Sequence, residues 1–108
     1  HTGVAIIQQD SNISIDFVET AKVWIKPFDE TTLTSYLATK ESMGKAGAYS
    51  IQGKGAHLIK KIEGDYPTIV GIPLWRTAKA LEQNGVILPT PVEEIYRLMP
   101  YANWKEFD

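Results

Sequence analysis

The stretch "GKAGAYSIQGKGAHLI", Gly44 to Ile59, carries four of the chain's eight glycines, together with two lysines and one glutamine. Gly44, Gly47, Gly53 and Gly55 permit positive φ and close backbone approach. Backbone N–H groups exposed in that way can form an anion nest, to which Lys45 and Lys54 add charge. The spacing rejects two phosphate loops. Five residues rather than four separate Gly47 from Gly53-Lys54, and Gly55 stands where a P-loop needs Ser or Thr to hold Mg²⁺. No G-x-G-x-x-G occurs, so the dinucleotide fingerprint fails as well. On its residues alone the segment is a phosphate cradle or a flexible turn. Gln52 within it offers a donor pair and an acceptor, which can read the edge of a base or satisfy nearby backbone.

Working towards the N-terminus, "ETTLTSYLATK" reads as a helix with Asp29 at the N-cap and Leu33, Tyr36 and Leu37 on one face. Before it, Gly3 to Ile7 and the alternating Ile13, Ile15 and Phe17 predict two strands joined by the polar turn "QQDSN" as an antiparallel hairpin, and Val23 to Ile25 continues after a break. The chain opens directly in a strand, which points to a fragment or a processed product.

Towards the C-terminus, "AHLIKKI" reads as a strand, "EGDYP" as a turn and "TIVGI" as a further strand. "PLWRTAKALEQNG" is the clearest helix, with Pro73 in its first turn, Leu74, Ala78 and Leu81 as its stripe, and Asn84-Gly85 as its stop. Val92 to Met99 fits a short helix, and the rest of the Pro- and aromatic-rich tail an irregular arm. The expected class is α/β, an α+β mixed sheet with flanking helices. The expected division is 1–88 as the main unit and 89–108 as the C-terminal arm.

The 108 residues suit one modest core. A hydrophobic content of 44% with 22% charged residues is ordinary globular composition. The net charge of −2 gives no basic field for a nucleic-acid polymer. There are no cysteines, hence no disulfide or thiolate metal site. No run reaches the roughly 18 apolar residues of a membrane span, and no signal peptide is visible. A cytoplasmic protein is the expectation.

The carboxylates are scattered. Asp29 with Glu30, and Glu93 with Glu94, mark helix starts; Glu63 and Asp65 flank Gly64 in a turn. Glu41, just before the glycine segment, is the carboxylate placed nearest a site. His1 and His57 have no metal-ligand spacing. Trp24, Trp75 and Trp104 are too far apart for a stacking platform and suit core or interface positions.

Read in order, "TGVAII", "ETAKVWIKPFDETTLTSYL" and "ESMGKAGAYSIQGKGAHLIKKIEGDYPTIVGIPL" resemble the C-terminal half of the Maf family of nucleoside triphosphate pyrophosphatases, first described as septum-formation inhibitors. The resemblance spans about Thr2 to Gly85, and its sharpest part is the order KAGAY, IQG, IEGDY and VGIPL. It implies an elongated α/β fold with a cleft, often dimeric, that hydrolyses a nucleoside triphosphate to monophosphate and pyrophosphate with Mg²⁺ or Mn²⁺. The implied use is removal of non-standard or excess nucleotides. The IQG form resembles the dTTP/UTP-directed subgroup, which makes Gln52, beside Gly53, the base-specificity residue. By the same resemblance Lys45 faces triphosphate oxygens, and Glu41 matches the family's glutamate.

Two departures qualify the match. Where the family reads Gly-Glu-Pro-x-Asp-Lys-Ala-Gly, this chain has Ser42 for the proline and Gly44 for the aspartate. The Ser-x-Ser-Pro-Arg-Arg loop, the aspartate base and a phosphate-binding lysine belong to the family's N-terminal half. No residue here is therefore assigned a catalytic task. The expectation is a nucleotide-binding wall, inactive alone, that forms a homo-oligomer through unpaired strand edges. The other reading is a degenerate, non-catalytic nucleotide-binding or dimerisation module.

Overall fold

Alternation sets the first element. In the structure, a computed structural model describing residues 1–107, β1 (Thr2–Gln8) turns Val4 and Ile6 inward and Ala5 and Ile7 outward. Strand β2 (Ile13–Glu19) runs antiparallel to it, with Val4 opposite Phe17 and Ile6 opposite Ile15. The hairpin and its inner face are those the alternation predicts.

Strand β3 (Lys22–Ile25) does not extend that sheet. It pairs antiparallel with β4 (Ile59–Glu63), placing Val23 opposite Ile62 and Trp24 opposite Lys61. The Lys61 ammonium lies 4.3 Å from the Trp24 ring centroid, a cation–π contact across the pair. The strands thus form two separate two-stranded antiparallel sheets, mixed with helices. The two meet where Gly64, at φ 111°, packs on the link between β2 and β3. A β-carbon there would stand 3.0 Å from Ala21 Cα.

Helix α1 (Glu30–Ala38) starts as expected: Asp29 accepts the Thr32 N–H at 2.8 Å. Its buried side chain is Tyr36. Two expected strands are different. Lys54 to Leu58 form a 3₁₀ turn, so β4 begins only at Ile59, and His57 sits exposed on the turn. "TIVGI" is not a strand, because Tyr66–Val70 form a helix, α2. Pro67 lies in its first turn, where a missing N–H costs nothing, and the Thr68 hydroxyl donates to Asp65 at 3.1 Å. Gly71 ends the helix by donating its N–H to the Pro67 carbonyl at 2.9 Å. A short apolar run carries no periodicity long enough to separate these outcomes.

Helix α3 (Leu74–Gln83) buries Ala78 and stops at Gly85, whose φ of 87° is left-handed. Helix α4 (Val92–Leu98) buries Val92 and packs beside α3. The chain then turns at Met99 and returns to the core as a 3₁₀ turn over Trp104–Phe107. That core joins Ile51, Ile59, Tyr66 and Trp104, flanked by Val23, Tyr49 and Ile62. The molecule is elongated, 55 × 27 × 21 Å. Among the described residues no helix is long and apolar enough to cross a membrane.

Candidate functional site

The glycines of the opening stretch divide into two kinds. Gly44 and Gly47 have φ of 71° and 68°, the left-handed conformation that bends the chain around Lys45. Gly53 and Gly55 serve close approach instead. A β-carbon on Gly53 would meet the Glu41 carboxylate, and one on Gly55 would lie 2.4 Å from the Ser50 carbonyl and 2.8 Å from the Tyr36 hydroxyl.

Around those two glycines the backbone is tied to two side chains. Glu41 accepts the N–H of Lys54 through one oxygen and that of Gly55 through the other, each at 3.0 Å. The Tyr36 hydroxyl donates to Glu41 at 3.3 Å and accepts the Ser50 N–H at 3.0 Å. The N–H groups of Gly55 and Lys54 hold the Glu41 carboxyl below its ordinary range, since they favour the charged form. Burial pushes the Tyr36 hydroxyl up, so it stays protonated and able to donate. On the opposite side, the Asn103 amide donates to the carbonyls of Ile51 at 3.1 Å and Gly53 at 3.4 Å.

This scaffold presents Gln52 exposed at the head of a turn whose neighbour Ile51 is anchored in the core at 3% exposure. Beside it opens a cleft of about 460 Å³ between the glycine segment, the start of β3 and helix α2. Lys45, Gln52, Tyr49 and Thr68 are among its lining residues. The structure therefore brings Lys45 and Gln52 to one cavity. Glu41 and Gly53 are not part of that lining; the Glu41 oxygens face the turn's backbone.

A cleft with an amide, a cation and an aromatic wall can take a small planar ligand bearing an anionic group. It does not make a metal site. Among the described residues no group of three or more His, Cys, Asp or Glu is placed to hold an ion. Glu41 spends both oxygens on backbone donors, and Asp65, beside the cleft residue Thr68, spends its two on the Thr68 and Tyr96 hydroxyls.

Lys45 and Gln52, both singled out in the sequence, line one cleft, whereas three residues around it carry no such sequence signal. Tyr36 reads as one more apolar position on a helix face, and its hydroxyl partners lie 5 and 14 residues away. Thr68 lies in "TIVGI", whose short apolar run suggests a strand and not the helix that turns Thr68 to the cleft. Asn103 carries no local signal, because its partners lie 52 and 50 residues earlier.

Comparison with known proteins places the chain among relatives. The family model described as Maf-like protein matches residues 1–84. A dTTP/UTP pyrophosphatase of Halalkalibacterium halodurans is 48% identical over 84 residues, covering 78% of this chain and 43% of the relative. One from Methanosarcina mazei is 44% identical over 85 residues, 79% of this chain and 43% of the relative. Another, from Acetivibrio thermocellus, is 46% identical over 85 residues, 79% of this chain and 42% of the relative. The chain spans less than half the length of these curated relatives.

Proposed function

Because the chain belongs to the Maf-like protein family, we propose that it supplies the base-reading wall of a nucleoside triphosphate pyrophosphatase that acts on dTTP and UTP. One observation carries this reading: Lys45 and Gln52 line the same cleft. A glutamine amide can accept from the ring N–H of thymine or uracil and donate to a ring carbonyl, while a lysine beside it meets phosphate oxygens. The names of the relatives supply the substrate class.

Hydrolysis to monophosphate and pyrophosphate consumes one water and breaks the bond between the α-phosphorus and the bridging oxygen. It needs a base for that water and a cation for the developing charge. Glu41 is committed to backbone donors and Asp65 to two hydroxyls, so this chain binds and orients the nucleotide, and the base and the ligands for Mg²⁺ or Mn²⁺ come from outside residues 1–107. That commitment also favours a second reading, a nucleotide-binding module without turnover. Among the described residues neither edge of the β1–β2 hairpin pairs with a further strand, and Val18 on it is 62% exposed, which supports homo-oligomer formation. A nucleotide-pool enzyme of this kind works in the cytoplasm.

The test measures binding of dTTP, UTP and CTP to the chain, together with pyrophosphate release in Mg²⁺ or Mn²⁺. The expected result is binding that favours dTTP and UTP, without turnover. Pyrophosphate release by the chain alone would overturn the division of labour, and no binding of any of the three would overturn the site.

A further inference from the structure

The turn that carries Gln52 is held from its far side by the returning C-terminal segment, outside the residues 1–84 matched by the family model. The segment is itself well anchored. Trp104 is 4% exposed and stacks on Tyr66 at 5.7 Å between ring centroids. The Tyr66 hydroxyl donates to the Ala102 carbonyl at 2.5 Å. Both neighbours of Asn103 are thus fixed. Asn103 itself adopts φ 68°, a left-handed conformation that asparagine tolerates better than most residues. Its amide then reaches the carbonyls on either side of Gln52, those of Ile51 and Gly53.

We infer that Asn103 is a positioning residue for base selection, acting through Gln52; this rests on the reading of Gln52 as the residue that meets the base. The physical reason lies in the chemistry of an amide. Its oxygen and nitrogen are close to isosteric, so one flip turns a partner for uracil into a partner for cytosine. Residue type alone therefore discriminates poorly, and the placement of the amide against the cleft decides. Gln52 is exposed, and its placement is inherited from its backbone. Glu41 fixes the N–H groups after the turn, and Asn103 fixes the carbonyls on either side of Gln52. Without Asn103 the Gln52 peptide gains freedom to tilt, and both pyrimidines are met with similar ease.

The experiment is equilibrium binding of dTTP and CTP, with Mg²⁺, to the full chain and to Asn103→Gly and Asn103→Asp. Both substitutions tolerate the left-handed backbone and remove the donors, and thermal melts establish that each is folded at the assay temperature. The expected result is a dTTP-over-CTP preference reduced about fivefold in both, the equivalent of one hydrogen bond of about 1 kcal/mol. A merely structural Asn103 would lower the melting temperature and leave that ratio alone, which would overturn the inference. Gln52→Glu separates the two levels. If it changes the ratio while the Asn103 variants do not, Gln52 keeps its role and Asn103 loses its own. If Gln52→Glu leaves the ratio unchanged, the base reading falls and takes this inference with it. On the unmodified chain, the Asn103 side-chain amide resonances should move on titration with dTTP and stay still with inorganic triphosphate. Equal movement with both would also overturn it.

Discussion

Glu41 lies against Gly53 so closely that a β-carbon on the glycine would stand 2.6 Å from a carboxylate oxygen. Gly55, two residues on, is hemmed in by backbone instead, 2.4 Å from the Ser50 carbonyl on the same construction. The two glycines therefore fail differently. In Gly53→Ala the far end of a flexible glutamate can swing away, giving up its bonds to Lys54 and Gly55 while the fold survives. In Gly55→Ala the obstacle is main chain and cannot move without reshaping the turn. Urea unfolding should show Gly55→Ala destabilised by about 1–3 kcal/mol, the usual range for overpacking, and Gly53→Ala by less. Equal losses would contradict the division between the two sites.

The Glu41 brace also has a pH signature. Its folded-state pKa is depressed below the ordinary 4.5, first by the Gly55 N–H and then by that of Lys54. A depressed carboxylate adds stability that is fully present above the unfolded value and is lost as pH falls through the folded one. Glu41→Gln should therefore be less stable than the parent chain at pH 7, and the gap should close as pH drops below 4.5. Asp29, Glu93 and Glu94 are depressed as well, so the parent's acid curve alone does not isolate the effect. The difference between parent and variant, followed by thermal melts across that range, does. A gap that stays constant with pH would mean the carboxylate charge contributes nothing.

Trp104 offers a test of where the molecule's interior ends. It stacks on Tyr66, meets Tyr96 edge-on at 5.0 Å and belongs to the core cluster with Ile51 and Ile59. Trp104→Ala should cost about 3–5 kcal/mol, the range for emptying a buried aromatic site. A chain ending at residue 88 should lose the cooperative unfolding transition. A cooperative transition in that shortened chain would establish 89–108 as an arm on a self-sufficient unit.

How much of this was legible beforehand follows the range of each interaction. The β1–β2 hairpin, the Asp29 cap and the Asn84-Gly85 stop are written in neighbouring residues, and the sequence shows all three. Helix α2 is not legible, because five residues cannot display a period and the proline in its first turn looks the same before a strand. The site splits in the same way. Lys45 and Gln52 stand out within one short segment, whereas the hold of Asn103 on the turn exists only after some fifty intervening residues have folded. Glu41 was legible as a carboxylate near the site, but its orientation towards backbone was not. Nothing in its neighbours reports the positions of the N–H groups 13 and 14 residues later.

Lys45 is exposed on the rim of the cleft, and the role proposed for it concerns phosphate alone. Its removal should therefore discriminate between ligands that share a nucleoside and differ in the triphosphate. Lys45→Ala should weaken dTTP binding about tenfold, as the loss of one charge-assisted contact of about 1.4 kcal/mol implies, and leave thymidine binding unaltered. The parent's dTTP affinity should fall with rising salt, and the variant's should fall less steeply, because exposed charge interactions are screened. Gln52→Leu, which adds no charge, should give the complementary pattern, with the preference among bases changed and the salt dependence kept. Equal weakening of thymidine and dTTP by Lys45→Ala would place the lysine against the base or the fold. The assignment of phosphate to that side of the cleft would then be wrong.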